Sequence, residues 1–404
     1  MTSNKKLRAS LLITVLGLLT AMGPFSVDPY LPAFPEIVKG LQTDLAHVSY
    51  TLSSFFIGLS VGQLIYGPLL ERYGRKRPIY IGLTIYAIST AGCALSQSIE
   101  ALIFFRFLQA IGSCAGLVSA RTIVRDLFKG KKVAKVFSTL MMVVAVSPII
   151  APTVGGLLTT YFGWRSIFIV LFVFSMIMIL GAILIVPHTK KPNTAYILRP
   201  GNIFQNYLNI LKNPSFFLYA LTGSIAYSGL YAYISGSPHL YMNLFGLNEQ
   251  QYSWVFAIIA TGLIGSSQIN NLVLKKHSME KTVQTAIFMQ CIIGSTLLAT
   301  SLTGATNLWV NTFLIFAFIS SLGFIFPNCS ALAMEPMGHT AGNASALMGA
   351  IQMSIGAIAS AFVGMMQNAT GIPMALIMTL CGFLALGLYF LGKHLIKNAI
   401  VPVH

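Results

Sequence analysis

An aspartate and an arginine stand where a chain this apolar has least use for charge. Asp28 sits in Ser26-Val27-Asp28-Pro29-Tyr30-Leu31-Pro32-Ala33-Phe34-Pro35, and Arg106 opens Arg106-Phe107-Leu108-Gln109-Ala110-Ile111-Gly112, both within long apolar stretches. A charge at the middle of a membrane-spanning helix costs about 2.5–3.5 kcal/mol on insertion scales, so such residues face a cavity or a partner and serve function. Of the chain's nine acids, Asp28 alone lies well inside such a stretch. A carboxylate in a poorly hydrated site binds a proton more readily than one in water, which is what a proton carrier requires. A second reading leaves Asp28 hydrated at an outer mouth, where it caps a helix broken by Pro24, Pro29 and Pro32. Arg106 is charged at any physiological pH and needs a partner if buried. A direct or water-linked pair with Asp28 would form a switch, in which protonating the acid frees the base and lets substrate compete. The plainer alternative is that Arg106 snorkels to the outer headgroups.

A second concentration of charge is Gly67-Pro68-Leu69-Leu70-Glu71-Arg72-Tyr73-Gly74-Arg75-Lys76-Arg77, with four cations and one carboxylate between two apolar runs. Glu71, Arg72, Arg75 and Arg77 are expected to form a charge relay with Asp126, at the inner end of the fourth run. The alternative is topology alone, since any Lys/Arg cluster orients its loop. Pro148 and Pro152, four residues apart, each remove a backbone donor and bend the fifth run. Gly155 and Gly156 behind them allow close helix approach, so this stretch reads as a hinge or a tight seam. For substrate contact the candidates are Phe25, Tyr30, Phe55, Gln109, Tyr227 and Tyr231, the last two sharing a helix face. Aromatic rings with few fixed charges suit amphipathic or weakly cationic molecules, although aromatics in a helical bundle more often pack or face lipid.

The elements that must position these residues follow from composition. The 404 residues are 55% hydrophobic and only 8% charged, against about 25% charged in soluble domains. A span needs about 20 mostly apolar residues. Twelve runs meet that, near residues 8–30, 48–70, 78–97, 101–125, 135–160, 165–187, 214–237, 250–274, 282–301, 306–334, 342–367 and 373–393. They are too long for barrel strands, so the expected fold is all-α, with twelve transmembrane helices. The polar interval 188–213 separates an N-terminal six-helix half, 1–187, from a C-terminal half, 214–404, and reads as a cytoplasmic linker.

The net charge of +16 is a topology signal rather than a nucleic-acid footprint. With a cytoplasmic N-terminus, Lys5, Lys6, Arg8, the Arg72–Arg77 cluster, Arg125, Lys129, Lys131, Lys132, Lys135, Lys190, Lys191, Arg199, Lys212, Lys275, Lys276, Lys281, Lys393 and Lys397 all fall inside. Arg121 sits one turn inside the inner end of the fourth run, and only Lys39, Arg106 and Arg165 fall elsewhere. The first run lacks a small-residue cleavage site and reads as a retained span. Cys93, Cys114, Cys291, Cys329 and Cys381 lie in spans with no pairing motif, and the seven histidines lack metal-ligand spacing. No metal, cofactor or phosphate-binding loop is expected, which argues against an enzyme and against ATP-driven pumping.

The Gly67–Arg77 stretch resembles the loop signature between helices two and three of the major facilitator superfamily. The Asp28-Pro29-Tyr30-Leu31-Pro32-Ala33-Phe34-Pro35 run is similar to the Asp-x-Tyr-Leu-Pro-Ala-x-Pro signature of its bicyclomycin-resistance (Bcr/CflA) branch of drug:proton antiporters. Arg106–Gly112 resembles the superfamily's Arg-x-x-Gln-Gly motif, with Ala110 in place of glycine, and Ala151-Pro152-Thr153-Val154-Gly155-Gly156 resembles the antiporter motif. Ile234–Pro238 and Gly342–Leu347 also resemble this branch. The resemblance implies two six-helix halves rocking about a midplane site, Asp28 and Arg106 in proton coupling, and the Gly67, Glu71, Arg72, Gly74, Arg75, Arg77 and Asp126 set as a cytoplasmic latch. It implies proton-driven export of drugs or similar amphipathic small molecules by a monomer in the bacterial inner membrane, both termini cytoplasmic. The alternatives are a dedicated exporter of an endogenous metabolite, such as a siderophore, amino acid or polyamine, and a non-transporting membrane sensor or scaffold. A cysteine replacing Gly130 is expected to react with impermeant thiol reagents only from the cytoplasmic side; labelling from outside overturns the topology.

Overall fold

A computed structural model describes residues 2–128, 131–187, 189, 192, 200–305, 307–366 and 368–400. Lys129, Lys190, Lys191 and Arg199 of the charge inventory lie outside them, as does Gly130. The described chain is helical: α1 (Thr2–Val27), a 3-10 turn (Asp28–Ala33), α2 (Phe34–Gly40), α3 (Leu45–Tyr73), α4 (Lys76–Leu95), α5 (Ile99–Leu127), α6 (Lys131–Phe162) and α7 (Arg165–Leu184). There follow α8 (Pro200–Leu211), α9 (Pro214–Pro238), a π-helix (His239–Leu244), α10 (Glu249–Val273), α11 (Met279–Thr303) and α12 (Leu308–Met334). A second 3-10 turn (Glu335–Thr340), α13 (Ala341–Met365) and α14 (Ile372–Ile400) complete it.

Helix starts are written in short polar side chains. Asp44, Ser98, Asn213, Asn248, Ser278 and Asn307 each accept a backbone N–H from the first turn of α3, α5, α9, α10, α11 and α12. These caps satisfy donors that the helix itself cannot pair. Gly74, at φ +77°, ends α3 in a conformation that a side chain would strain. The outward row on α7, Ile169, Val173, Ile177, Leu180 and Leu184, recurs at helical spacing and is exposed, as a lipid-facing stripe must be.

The chain divides into two compact units, Met1–Pro200 and Gly201–His404. In the first, α5 packs against α3 and α4, and α1 against α6. Small residues set these crossings: a Cβ on Gly58 would strike Ala110 and the Phe107 carbonyl, and one on Gly62 would strike Cys114. In the second unit, α12 packs against α10 and α11, and α9 against α13 and α14.

Two sequence expectations change. The first span does not run on as one helix to residue 30: Pro29 and Pro32 remove backbone donors, and the chain tightens into a 3-10 turn before resuming as α2. The interval read as a bare linker contains α8, whose Tyr207 and Ile210 are buried; its apolar face is only a few residues wide, too short to register beside the spans. The twelve expected spans correspond to the twelve described helices of 20 residues or more, of which 11 carry the apolarity of a membrane span. The exception is α9, which buries Thr222, Ser224, Ser228, Ser235 and Ser237 against its neighbours.

The break after α1 needs a gap in its neighbour. On α6, a Cβ at Gly155 would run into the backbone of Pro29. Gly155→Leu is therefore expected to lower stability by about 1–3 kcal/mol, read as a lower thermal midpoint in detergent. Gly265→Ala, whose Cβ meets nothing within 4 Å, should leave the midpoint in place. Equal stability of the two variants would show that this contact is not tight.

Candidate functional site

Asp28 is the first residue beyond α1, and it is buried. One carboxylate oxygen accepts a hydrogen bond from Ser147 Oγ of α6 at 2.8 Å. Ser147 directly precedes Pro148, and Gly155 lies against Pro29, so the Pro148–Pro152–Gly155–Gly156 stretch and the Asp28 turn form one continuous seam. Gly156 is buried in the same helix.

Arg106 lies seven residues into α5, about two turns from its start. It has no exposed surface. Its Nη1 donates to the Ser26 carbonyl at 2.8 Å and to Gln109 Oε1 at 2.7 Å. The guanidinium lies 4.3 Å from the Phe55 ring centroid and 4.6 Å from that of Tyr30, with Phe168 behind them. Cation–π attraction is worth about 2 kcal/mol or more when desolvated, which partly offsets the missing water. Nε and Nη2 have no hydrogen-bond partner.

A ring of hydroxyls fixes this cage. Gln109 Nε2 donates to Thr90 Oγ1 at 2.8 Å, and Thr90 Oγ1 donates to the Tyr86 carbonyl. The Tyr86 hydroxyl bonds Ser26 Oγ at 2.8 Å, which returns the path to the residue whose carbonyl holds Arg106. The Tyr30 hydroxyl bonds Thr51 Oγ1 at 2.8 Å.

The geometry redistributes the sequence assignments. Among the described residues Asp28 and Arg106 form no ion pair; they are joined through the backbone between Ser26 and Asp28. Arg106 does not snorkel, because two turns of α5 and three aromatic rings separate it from the helix end. Tyr30, Phe55 and Gln109, nominated for substrate contact, are buried and directed at Arg106. Phe25 is half-buried, edge-on to Phe174 at 5.8 Å. In the second unit Tyr227 and Tyr231 do meet, at 5.8 Å, and Tyr227 packs on Phe326 at 4.6 Å. Tyr231 is buried, and its hydroxyl points to Met353 Sδ. Ser147, Thr90, Tyr86 and Ser26 carry no sequence signal of their own, because a hydroxyl in an apolar run most often bonds its own helix.

The Gly67–Arg77 stretch resolves into a hub. Its first half continues α3 to Tyr73, and only Gly74 and Arg75 form the turn. Arg75 is buried and grips Asp126 with two bonds, Nε at 2.8 Å and Nη2 at 3.2 Å. Its Nη1 donates to Glu71 Oε1 at 3.1 Å and to the Leu70 carbonyl. Burial works against the Arg75 charge, but the Asp126 and Glu71 carboxylates outweigh it and hold the group above its ordinary value. Thr189 Oγ1 also donates to Asp126. Arg72 is half-buried on the last turn of α3, Arg77 is exposed, and a Cβ on Gly67 would meet open space.

The family model described as Major Facilitator Superfamily matches residues 13–361. An uncharacterized MFS-type transporter, YdgK, of Bacillus subtilis is 36% identical over 370 residues, covering 90% of each chain. A bicyclomycin resistance protein homolog of Haemophilus influenzae is 30% identical over 399 residues, covering 98% of this chain and 99% of that one. The fold is similar to that of a bacterial homolog of the human lysosomal transporter Spinster, with a TM-score of 0.75 at 17% identity over 98% of this chain and 99% of the other.

The two-pronged grip on Asp126 needs a planar fork, which an ammonium lacks. Arg75→Lys is expected to cost about 1–3 kcal/mol of thermal stability, and Glu71→Gln distinctly less, since Arg75 gives two bonds to Asp126 against one to the more exposed Glu71 and the glutamine carbonyl can still accept. A Glu71→Gln loss equal to that of Arg75→Lys would disprove the hub.

Proposed function

Because the chain belongs to the major facilitator superfamily, in its bicyclomycin-resistance branch, we propose that it exports drugs or similar amphipathic small molecules in exchange for protons. It is a multi-pass membrane transporter, not an enzyme. In this reading it works as a monomer in the bacterial inner membrane, with both termini cytoplasmic and the Arg75 hub on the cytoplasmic side.

One observation supports the reading: a carboxylate buried on a single hydroxyl and a buried guanidinium with two unpaired nitrogens are both tied to the stretch Ser26–Asp28. Neither ion is compensated by the other. An isolated buried carboxylate costs several kcal/mol, and taking up a proton removes that cost. Asp28 would carry the proton. Once neutral, its hydroxyl can donate, and the contact with Ser147 beside Pro148 and Gly155 can rearrange along the seam. Arg106, anchored through Ser26 to the same turn, would feel that movement and offer Nε and Nη2 to whichever acceptor the next state provides. The half-buried Tyr227 and Phe326 pair would offer rings to an amphipathic substrate in the second unit. Driving force is sufficient, since each charge crossing 100 mV is worth about 2.3 kcal/mol.

The test is proton movement on substrate addition in everted vesicles, wild type beside Asp28→Asn and Arg106→Ala, across dyes, antibiotics and metabolites. The expected result is proton release from the wild type and none from Asp28→Asn at equal membrane content, with Arg106→Ala reduced at least about tenfold. Undiminished exchange in Asp28→Asn removes Asp28 from the mechanism. Exchange with one metabolite and no drug would identify a dedicated exporter.

A further inference from the structure

The first long helix of each unit loses its α-helical pitch at a proline-bearing step. In the first unit α1, of 26 residues, gives way to Asp28-Pro29; in the second α9, of 25 residues, gives way at Pro238-His239. Asp28 and His239 are both the first residue beyond their helix. The two units thus place a protonatable side chain at the same point of their internal design. The transport reading above uses only one of them.

The surroundings of His239 are specific. It begins a π-helix, a conformation that is rare and frequently marks functional positions. Its Nε2 lies 2.8 Å from the carbonyl oxygen of Asn368, in the connection between α13 and α14. A carbonyl only accepts, so Nε2 carries the hydrogen. Nδ1 is buried and has no partner. In the neutral ring this leaves a bare lone pair; in the protonated ring it leaves an N–H with a share of positive charge and no acceptor, which costs far more. The neighbouring steps hold α9 in place: Gly236 lies against Met374 of α14, and Ser237 Oγ bonds the Tyr252 hydroxyl of α10.

No charge among the described residues compensates the ring. Helices α12 and α13 carry no Asp, Glu, Lys or Arg. The first lysine of α14 is Lys393, 21 residues beyond its start, about 30 Å along the helix. Helix α10 brings Glu249 at its first residue, half-buried, and the buried phenol of Tyr252. The π-helix itself brings Tyr241, whose hydroxyl bonds Thr312. Burial pushes the His239 ring below its ordinary value, and the bond to Asn368 opposes that only in part.

We propose that His239 is a second proton-binding site, and that its protonation releases the clasp between the end of α9 and the Asn368–Gly371 connection. In the proposed topology this clasp faces the outside. The neutral, clasped form prevails above the titration of the ring, and the clasp loosens as pH falls through a value below the ordinary 6.5 or so of histidine. An outer proton would therefore unlock the second unit independently of the Asp28 seam in the first.

Hydrogen exchange of the full chain in lipid nanodiscs tests this without needing a substrate, so it stands apart from the transport reading. The comparison is His239→Gln, whose carboxamide can donate to the Asn368 carbonyl but cannot titrate; His239→Asn serves if that variant misfolds. The readout is the exchange rate of residues 368–376, wild type divided by variant, which cancels the intrinsic effect of pH. The ratio is expected to rise about tenfold between pH 7.5 and pH 5. A ratio that does not move with pH, whatever its value, overturns the proposal. Substrate flux in vesicles holding the same proteins separates the two readings: a wild type that moves no substrate at all removes the transport reading and leaves the exchange result standing.

Discussion

A guanidinium kept from water with no carboxylate against it constrains the first unit more than any apolar contact does. Arg106 must be held by carbonyl, amide and aromatic faces, and these come from α1, the 3-10 turn after it, α3 and α5 itself. Each supporting group is itself tied: Gln109 to Thr90, Tyr86 to Ser26, Tyr30 to Thr51. A half-satisfied polar network in a low-dielectric interior is costly, so its members cannot drift independently. The crossing of α5 with α3 and α4, set by Gly58, Gly62 and Gly112, is as close as these bonds require. Moving any one helix by an ångström would leave the charge without one of its supports.

The same network explains why Asp28 and Arg106 can lie so near in sequence logic and yet not pair. The acid turns toward α6, the base reaches from α5 to the Ser26 carbonyl and the Phe55 ring of α3, and the short stretch Ser26–Asp28 joins the two. A direct ion pair would neutralise both groups and leave neither available. In the proposed mechanism, holding them apart keeps the acid sensitive to protons and the base open to a new acceptor, at the cost of two guanidinium nitrogens without partners. The Arg75 hub is built the other way, with both prongs of the guanidinium filled by Asp126. Two arginines of one unit thus show opposite designs, one saturated and one deliberately short of partners.

Much of this was legible before any coordinate. Twelve apolar runs and the unusual positions of Asp28 and Arg106 follow from the expense of polarity in lipid, which is a strong and local signal. What escaped is of two kinds. Helix α8 is amphipathic and short, and its apolar residues do not stand out beside spans of 20 residues or more. The partners of the buried ions are serines, threonines and tyrosines brought together from distant segments, Ser147 lying 119 residues from Asp28. Hydroxyls are cheap to place in a helix, so nothing in their spacing distinguishes a ligand of Asp28 from a residue bonding its own backbone. For the same reason Tyr30, Phe55 and Gln109 were readable as polar or aromatic residues of a bundle, but not as the walls of a cage.

The composition of α9 bears on how the protein is made. Of the described helices of 20 residues or more, α9 alone falls short of the apolarity of a membrane span, and its most extensive partners are α13 and α14, far downstream in the chain. Its hydroxyls gain those partners only once both later helices have been made, so α9 owes its place to tertiary contacts more than to its own preference for lipid.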